Sequence, residues 1–357
     1  MKIRSHFKEY SVDFVGSLGE IADYAKKENT FFVIGHNVYR LYYEFFNSIP
    51  KDRLQLIVAE EENKTVNTAL DICEKMTAMP SKRNTHLISI GGGITQDITG
   101  FVANVLYRGI DWTFYPSTLL AACDSCIGGK TSLNYKGYKN LLGTFFPPDK
   151  IKIYPKFFET LEERDYLSGL GEVVKFNVMA GKDGIDLIEE QLSALLKRDS
   201  KIIATFVKTS LEFKKTFIEE DEFDKGRRIL LNFAHTFGHA FEVSSNYNIP
   251  HGTAVALGMV VANYISVSRN LLDSAFASRI ENVCKKILPN EFEKNWFDFD
   301  TIISAIRKDK KQTSTSIRAV LICDDLSLSI FDDLSIEEIK NSIDYLTYDY
   351  LNFKDGD

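Results

Sequence analysis

The stretch SIGGGITQDITGF, residues 89–101, carries the reading of the fold. An apolar run, HLISI (residues 86–90), enters three consecutive glycines, and a helical pattern begins near Gln96. Glycine tolerates positive φ and lets another group approach the backbone, and a helix N-terminus behind such a turn favours phosphate. On this reading Asp97 falls in the first helical turn. The spacing is not GxGxxG, so the turn taken alone reads equally as a tight strand-to-helix connection.

The flanks extend the same pattern. FFVIG (residues 31–35), LQLIVA (residues 54–59) and WTFYP (residues 112–116) read as buried strands, with a helix from Thr65 to Met79 among them. Strands alternating with helices imply a parallel sheet flanked by helices. From about Leu161 onward strand signals nearly vanish, and long amphipathic segments such as IDLIEEQLSALLKR and IIATFVKTSLEFKKTFIEE take over. IRAVLICD (residues 317–324) is the exception, a short strand or hairpin. The chain therefore reads as an N-terminal α/β domain, residues 1–155, and a C-terminal α-helical domain, residues 156–357, without internal repeats.

Its 357 residues exceed one ordinary core and suffice for two domains. With 43 basic and 50 acidic residues the net charge is −7, which argues against a general nucleic-acid binder. The start, MKIRSHFKEYSVDF, lacks an apolar leader core, and no apolar run is long enough to span a membrane. Five cysteines form no dense, even framework, so a reducing cytoplasm is the expected compartment. Cys123 and Cys126 form a lone CxxC with no second pair to complete a zinc site.

Chemistry concentrates between Arg228 and His251, which hold three of the six histidines. His235 and His239 lie four apart in LLNFAHTFGHAFEV, which reads as one buried helix presenting both rings on one face. His251 follows Pro250 at a turn into the next helix, and Glu172 in SGLGEVVKF is a candidate carboxylate. Two histidines from separate elements plus one carboxylate would make an open three-ligand metal site. A buried histidine is ordinarily a core residue, and this pair lacks the glutamate of hydrolytic zinc helices. Arg228 precedes Asn232 by four and His235 by seven, which would put all three on one helix face. Lys130, Lys136, Lys139 and Asn140 fall in a glycine-punctuated loop suited to phosphate, though a solvated loop would also be basic. Glu172 and Lys175 share a helix face within an apolar segment. Lys214 and Arg228 flank an acidic stretch, and the guanidinium is placed for a substrate carboxylate.

GGGITQDITGF, LYRG, PSTLLAACDSCIGGKTSLN, YKNLLGTFFPP, SGLGEVVK, LLNFAHTFGHAFE, IPHGTAVALGM and DKK occur in one order. Together, over roughly residues 59–325, they resemble the sugar-phosphate cyclase family, most closely its 3-dehydroquinate synthases. The resemblance implies a dinucleotide-binding α/β domain, a helical domain binding metal and substrate, and an active site in a cleft. It implies that Glu172, His235 and His251 hold a divalent metal, zinc or cobalt. NAD contacts would come from Glu61, Lys64, Gly93, Asp97, Ser117, Thr118, Lys139 and Thr160. Substrate phosphate would meet Lys130, Asn140, Asn232, His239 and Lys310 or Lys311, with Arg108 reaching a neighbouring subunit of a homodimer. Lys214 and Arg228 would hold a substrate carboxylate, and Asp124 and Lys175 would be active-site polar residues. The implied reaction cyclises a heptulosonate 7-phosphate with loss of phosphate and returns NAD unchanged, as a lyase of the shikimate pathway to aromatic amino acids. The implied partner is a small sugar phosphate, with no nucleic acid or membrane.

The chain departs from the family pattern without losing a charged group. Gln96 stands where the family has glycine, Ala122–Cys123 where it has Gln-Val, and Phe233–Ala234 where it has Leu-Gly. YKGYKN and TLEERD also differ from the usual stretches. Both a housekeeping enzyme and a specialised paralogue remain open, as do cyclases of the amino-dehydroquinate and valiolone types. A metal- and NAD-dependent alcohol dehydrogenase would not need Lys130, Asn140, Lys214 and Arg228 together. A non-catalytic metabolite binder would not need the intact ligand set.

Overall fold

The computed structural model describes residues 1–308 and 316–354, and the chain divides into two compact units. Lys310 and Lys311, assigned to phosphate above, lie outside the described residues.

The first unit comprises Met1–Leu161 and Lys215–Phe223. Its strands are β1 (Lys2–Arg4), β2 (Glu9–Phe14), β3 (Thr30–Gly35), β4 (Leu54–Ile57), β5 (His86–Gly91), β6 (Trp112–Pro116), β7 (Lys130–Tyr135), β8 (Tyr138–Phe145) and β9 (Lys150–Ile153). Its helices are α1 (Glu20–Ala25), α2 (His36–Leu41), α3 (Tyr43–Phe46), α4 (Val66–Thr77) and α5 (Gly93–Val105). Seven strands form one sheet in the order β1-β2-β9-β6-β5-β3-β4. All neighbours are parallel except the β1–β2 edge pair. TFFVIG in β3 and WTFYP in β6 are buried throughout, as parallel strands covered on both faces must be. Thr65 starts α4 by accepting a hydrogen bond from the Thr68 amide at 3.2 Å.

From β3 the chain moves outward to β4, then returns to β5 on the other side of β3. The carboxyl ends of β3 and β5 therefore flank a topological switch point, where open α/β sheets bind ligands. Both strands end in glycine, Gly35 and Gly91. A Cβ on Gly91 would collide with the Thr95 side chain, and one on Gly92 with Thr118. The glycine run thus lets the first turn of α5 fold back on its own strand.

Two local expectations change here. The α5 helix begins at Gly93, not near Gln96, so Asp97 lies in its second turn. The basic loop is instead the β7–β8 hairpin, with Lys130 on β7, Lys139 and Asn140 on β8, and Lys136–Gly137 in the turn. Its turn residues mimic a loop, and β8 has largely exposed side chains that give no apolar alternation.

The second unit comprises Glu162–Lys214 and Asp224–Asp357. It holds α6 (Glu163–Met179), α7 (Lys182–Leu196), most of α8 (Ser200–Glu220), α9 (His235–Ser244), α10 (His251–Ser268), α11 (Ser274–Ile287), α12 (Phe299–Lys308) and α13 (Ile336–Asp344). IRAVLICD forms β10 (Ile317–Ile322), paired antiparallel with β11 (Leu328–Leu334). α10 is buried without interruption from Gly252 to Asn263, as its apolar sequence requires of a central helix. LLNFAHTFGHAFEV is not one helix: Arg227–Asn232 is a 3₁₀ turn, and α9 starts only at His235. Ala234 between them is left-handed, with φ 67°. The shared helix face expected for Arg228, Asn232 and His235 therefore does not exist.

Candidate active site

Three helices of the second unit deliver the metal candidates, and glycines let those helices meet. Glu172 is on α6, and His235 and His251 are the first residues of α9 and α10. A Cβ on Gly171 would run into the Gly252 carbonyl, and a Cβ on Gly252 into the Ser168 carbonyl. Between α9 and α10, a Cβ on Gly238 would crowd Ala254, and one on Gly258 would meet the Ala234 carbonyl. The Gly252 amide also donates to Ser168 Oγ at 3.0 Å. Backbone contact at these positions brings the neighbouring ligand side chains together.

Glu172 Oε1 lies 3.5 Å from His235 Nε2 and 3.3 Å from His251 Nε2. Ligand atoms about 2.1 Å from a tetrahedral ion lie about 3.4 Å apart, so the spacing suits zinc. Glu172 is fully buried, and its Oε1 has no well-formed hydrogen bond. An acceptor buried in that state, facing two imidazole nitrogens, fits a cation. The outer nitrogens are both engaged: His235 Nδ1 with the Phe233 carbonyl at 2.9 Å, and His251 Nδ1 with Glu242 Oε2 at 3.0 Å. Carbonyl and carboxylate oxygens only accept, so each Nδ1 carries a proton and each Nε2 turns toward Glu172.

Lys175 Nζ, also buried, sits 2.6 Å from Glu172 Oε2 and donates to the Leu231 carbonyl at 3.3 Å. Burial opposes ionisation of Glu172, but the Lys175 ammonium and the His251 ring outweigh it and hold the carboxyl below its ordinary range. Burial would likewise lower the His251 value, yet the Glu172 and Glu242 carboxylates raise it. A metal entering must therefore displace a proton. The His239 ring lies 5.3 Å from that of His235 and 5.8 Å from that of His251. Asn232 donates to the Ile229 carbonyl at 2.9 Å, while Lys214 and Arg228 are buried cations of the same unit.

The first unit gathers a second group. Lys64 Nζ is 2.6 Å from both Asp97 Oδ2 and Asn140 Oδ1. Ser132 donates to Asp97 through its amide at 3.0 Å and its hydroxyl at 2.8 Å. Burial pushes the Asp97 carboxyl up, offset in part by Lys64 and Ser132. Glu61 accepts from Asn134 Nδ2 at 2.8 Å, and the Ser117 amide donates to the Gly91 carbonyl at 2.8 Å. Gly93 opens α5, and Thr118 stands against Gly92. Asp124 lies in a π-turn, Ala121–Ser125, an i→i+5 geometry frequent at functional sites. Lys130, Lys139 and Arg108 are exposed, and Thr160 Oγ1 lies 2.9 Å from the Tyr42 hydroxyl. Cys123 and Cys126 are buried, with their thiols directed to the Leu120 carbonyl at 3.6 Å and the Ala122 carbonyl at 3.3 Å.

Sequence reasoning missed Glu242 and Ser132. Glu242 had a weak signal, three residues beyond His239 on the same helix; Ser132 had none.

Comparison with known proteins identifies the family. Residues 55–168 match the 3-dehydroquinate synthase N-terminal family, and residues 169–312 its C-terminal counterpart. The 3-dehydroquinate synthase of Clostridium tetani (strain Massachusetts / E88) is 36% identical over 336 residues, covering 90% of this chain and 87% of the relative. A 2-epi-5-epi-valiolone synthase from Streptomyces hygroscopicus subsp. jinggangensis 5008, solved with NAD+ and Zn2+ bound, has a TM-score of 0.82 at 25% identity, covering 96% and 98% of the two chains. A probable glycerol dehydrogenase from Sinorhizobium meliloti 1021 shares the fold, with a TM-score of 0.64 at 13% identity over 97% and 98%. The chain belongs to the 3-dehydroquinate synthase family, the phosphate-eliminating cyclases.

Proposed function

We propose that this enzyme closes a heptulosonate 7-phosphate into a carbocycle with release of phosphate, using NAD and one divalent metal ion. The observation that carries the reading is the meeting of Glu172, His235 and His251 at spacings that suit zinc. Cobalt accepts the same donors. When bound, the metal supplies Lewis acidity toward a substrate oxygen and NAD a hydride acceptor that is restored within the turnover.

The chain's own residues bind and orient. Lys175 neutralises one oxygen of Glu172 and keeps that carboxylate ionised within an apolar helix. Lys214 and Arg228 take the substrate carboxylate, and His239, Asn232, Lys130 and Asn140 take its phosphate. Asp124 serves as a polar group on the π-turn. NAD lies along Glu61, Lys64, Gly93, Asp97, Ser117, Thr118, Lys139 and Thr160, in line with the switch point between β3 and β5. The working form is a homodimer in which Arg108 reaches the neighbouring subunit. Among the described residues no helix is long and apolar enough to cross a membrane, and the cytoplasm is the proposed compartment.

Phosphate release measured across C7 and C6 sugar phosphates, with NAD and zinc supplied, tests the reading. Heptulosonate 7-phosphate should turn over without net NADH, and His235→Ala should lose zinc and activity while staying folded. Stoichiometric NADH would make the enzyme a dehydrogenase. Faster turnover of sedoheptulose 7-phosphate would move it to the valiolone type.

A further inference from the structure

Glu242 lies outside the Glu172, His235 and His251 set yet touches one of its members. It sits on α9, and its Oε2 is 3.0 Å from His251 Nδ1. The opposite nitrogen of that ring, Nε2, faces Glu172 Oε1 at 3.3 Å. His235 is oriented in the same way, but its outer nitrogen meets a main-chain carbonyl, that of Phe233. The two rings thus present the same nitrogen inward by different means, one through the backbone and one through a side chain. The difference matters because His251 is less confined: its side chain is 31% exposed, against 11% for His235.

We propose that Glu242 is a positioning residue for the metal. It holds the proton on His251 Nδ1 and fixes the ring plane, so that the Nε2 lone pair points to the space shared with Glu172 and His235. Histidine ligands commonly donate their second ring N–H to a carboxylate, and losing that partner costs roughly 10- to 100-fold in metal affinity. His239, Glu242 and His251 also lie close enough together to hold an ion of their own. Glu242 already engages His251 Nδ1 in that group, and its proposed role is to orient the ring toward one ion on the Glu172 side.

The inference rests on Glu172, His235 and His251 holding a metal, and zinc binding to the metal-free full-length protein separates the two. Titration with zinc alone, in competition with a chromophoric chelator, should give one equivalent for the wild type. Glu242→Ala should bind roughly 10- to 100-fold more weakly. Glu242→Gln should stay within about threefold of wild type, because its amide oxygen still accepts from Nδ1–H. Wild type without zinc affinity would sink the metal reading itself. Zinc affinity unchanged in Glu242→Ala, Glu242→Gln as weak as Glu242→Ala, or two equivalents in the wild type would overturn the positioning role alone. Glu242 is partly exposed, and far-ultraviolet circular dichroism of both variants reports their folding.

Discussion

Gly171 on α6 and Gly252 on α10 lie where the two main chains touch: a Cβ on Gly171 would meet the Gly252 carbonyl, and one on Gly252 the Ser168 carbonyl. Both adjoin metal candidates, Glu172 and His251. Helix separation and ligand separation are therefore one quantity at this crossing. Gly252→Ala would press on the Ser168 carbonyl, and backbone cannot swing aside as a side chain can. Overpacking of this kind costs about 1–3 kcal/mol or more. Urea unfolding should show a lower midpoint, and zinc affinity should fall as Glu172 and His251 part. A variant with wild-type midpoint and zinc affinity would show that the helices tolerate a wider crossing.

Arg228 is buried in the 3₁₀ turn before α9 and is assigned to the substrate carboxylate. A charge-assisted hydrogen bond is worth about 1.5–3 kcal/mol, and about 1.4 kcal/mol is tenfold in affinity. Arg228→Ala should therefore raise KM for a carboxylated C7 phosphate roughly ten- to hundredfold. A non-carboxylated analogue should be affected much less. Equal losses for both substrates would place Arg228 elsewhere in the site.

Gln96, buried on α5, donates to the Ser125 carbonyl at 2.6 Å and accepts from the Ser125 hydroxyl at 2.7 Å. It ties the α5 helix to the π-turn that carries Asp124. Its neighbour Asp97 holds Ser132 at the start of the hairpin, so one helical turn anchors both ends of the Ser125–Ser132 loop. Each hydrogen bond contributes about 0.5–1.5 kcal/mol net, so Gln96→Ala should lose about 1–3 kcal/mol of stability. KM for the sugar phosphate should rise with it, while zinc content stays at the wild-type level. An unchanged unfolding midpoint would show that the turn holds itself.

Glu338 makes a two-point contact with Arg269, at 2.5 and 2.9 Å, and also completes the capping box of α13 with Ser335. The Arg269 guanidinium holds its carboxyl down to about 2. A depressed carboxyl pKa means the folded state favours the ionised form. Its stabilisation is full above the ordinary glutamate value of about 4.3 and is lost as pH falls from there toward 2. Glu338→Gln should lower the melting temperature at neutral pH and flatten its fall between pH 4.5 and 2. A variant as acid-sensitive as wild type would assign that sensitivity to other carboxylates.

Much of this molecule follows from local sequence. β3, β5 and β6 read as continuous apolar runs because both of their faces are covered, and the α10 helix reads as buried because it is apolar on every side. The four-residue spacing of His235 and His239 places both rings on one face of α9. In contrast, β1 and β9 are short, and β1, β2 and β9 all alternate charged or polar with apolar residues, so their pairing supplies the burial that their composition does not announce.

Other features exist only once distant segments have met. The break at Ala234 is a single backbone choice made where its carbonyl packs against Gly258, and no local pattern marks it. Glu242 is an ordinary helix glutamate until α10 brings His251 within 3.0 Å. Lys64, Asp97 and Asn140 come from a loop, a helix and a hairpin, and their contacts appear only when all three are in place. Periodicity along the chain reports which face of each element leaves water, so the layers and the candidate ligand types were legible before the elements met. The distances between ligands depend on how closely two helices approach. That closeness is set by pairs of small residues, Gly171 with Gly252 and Gly258 with Ala234, whose fit has meaning only across the interface.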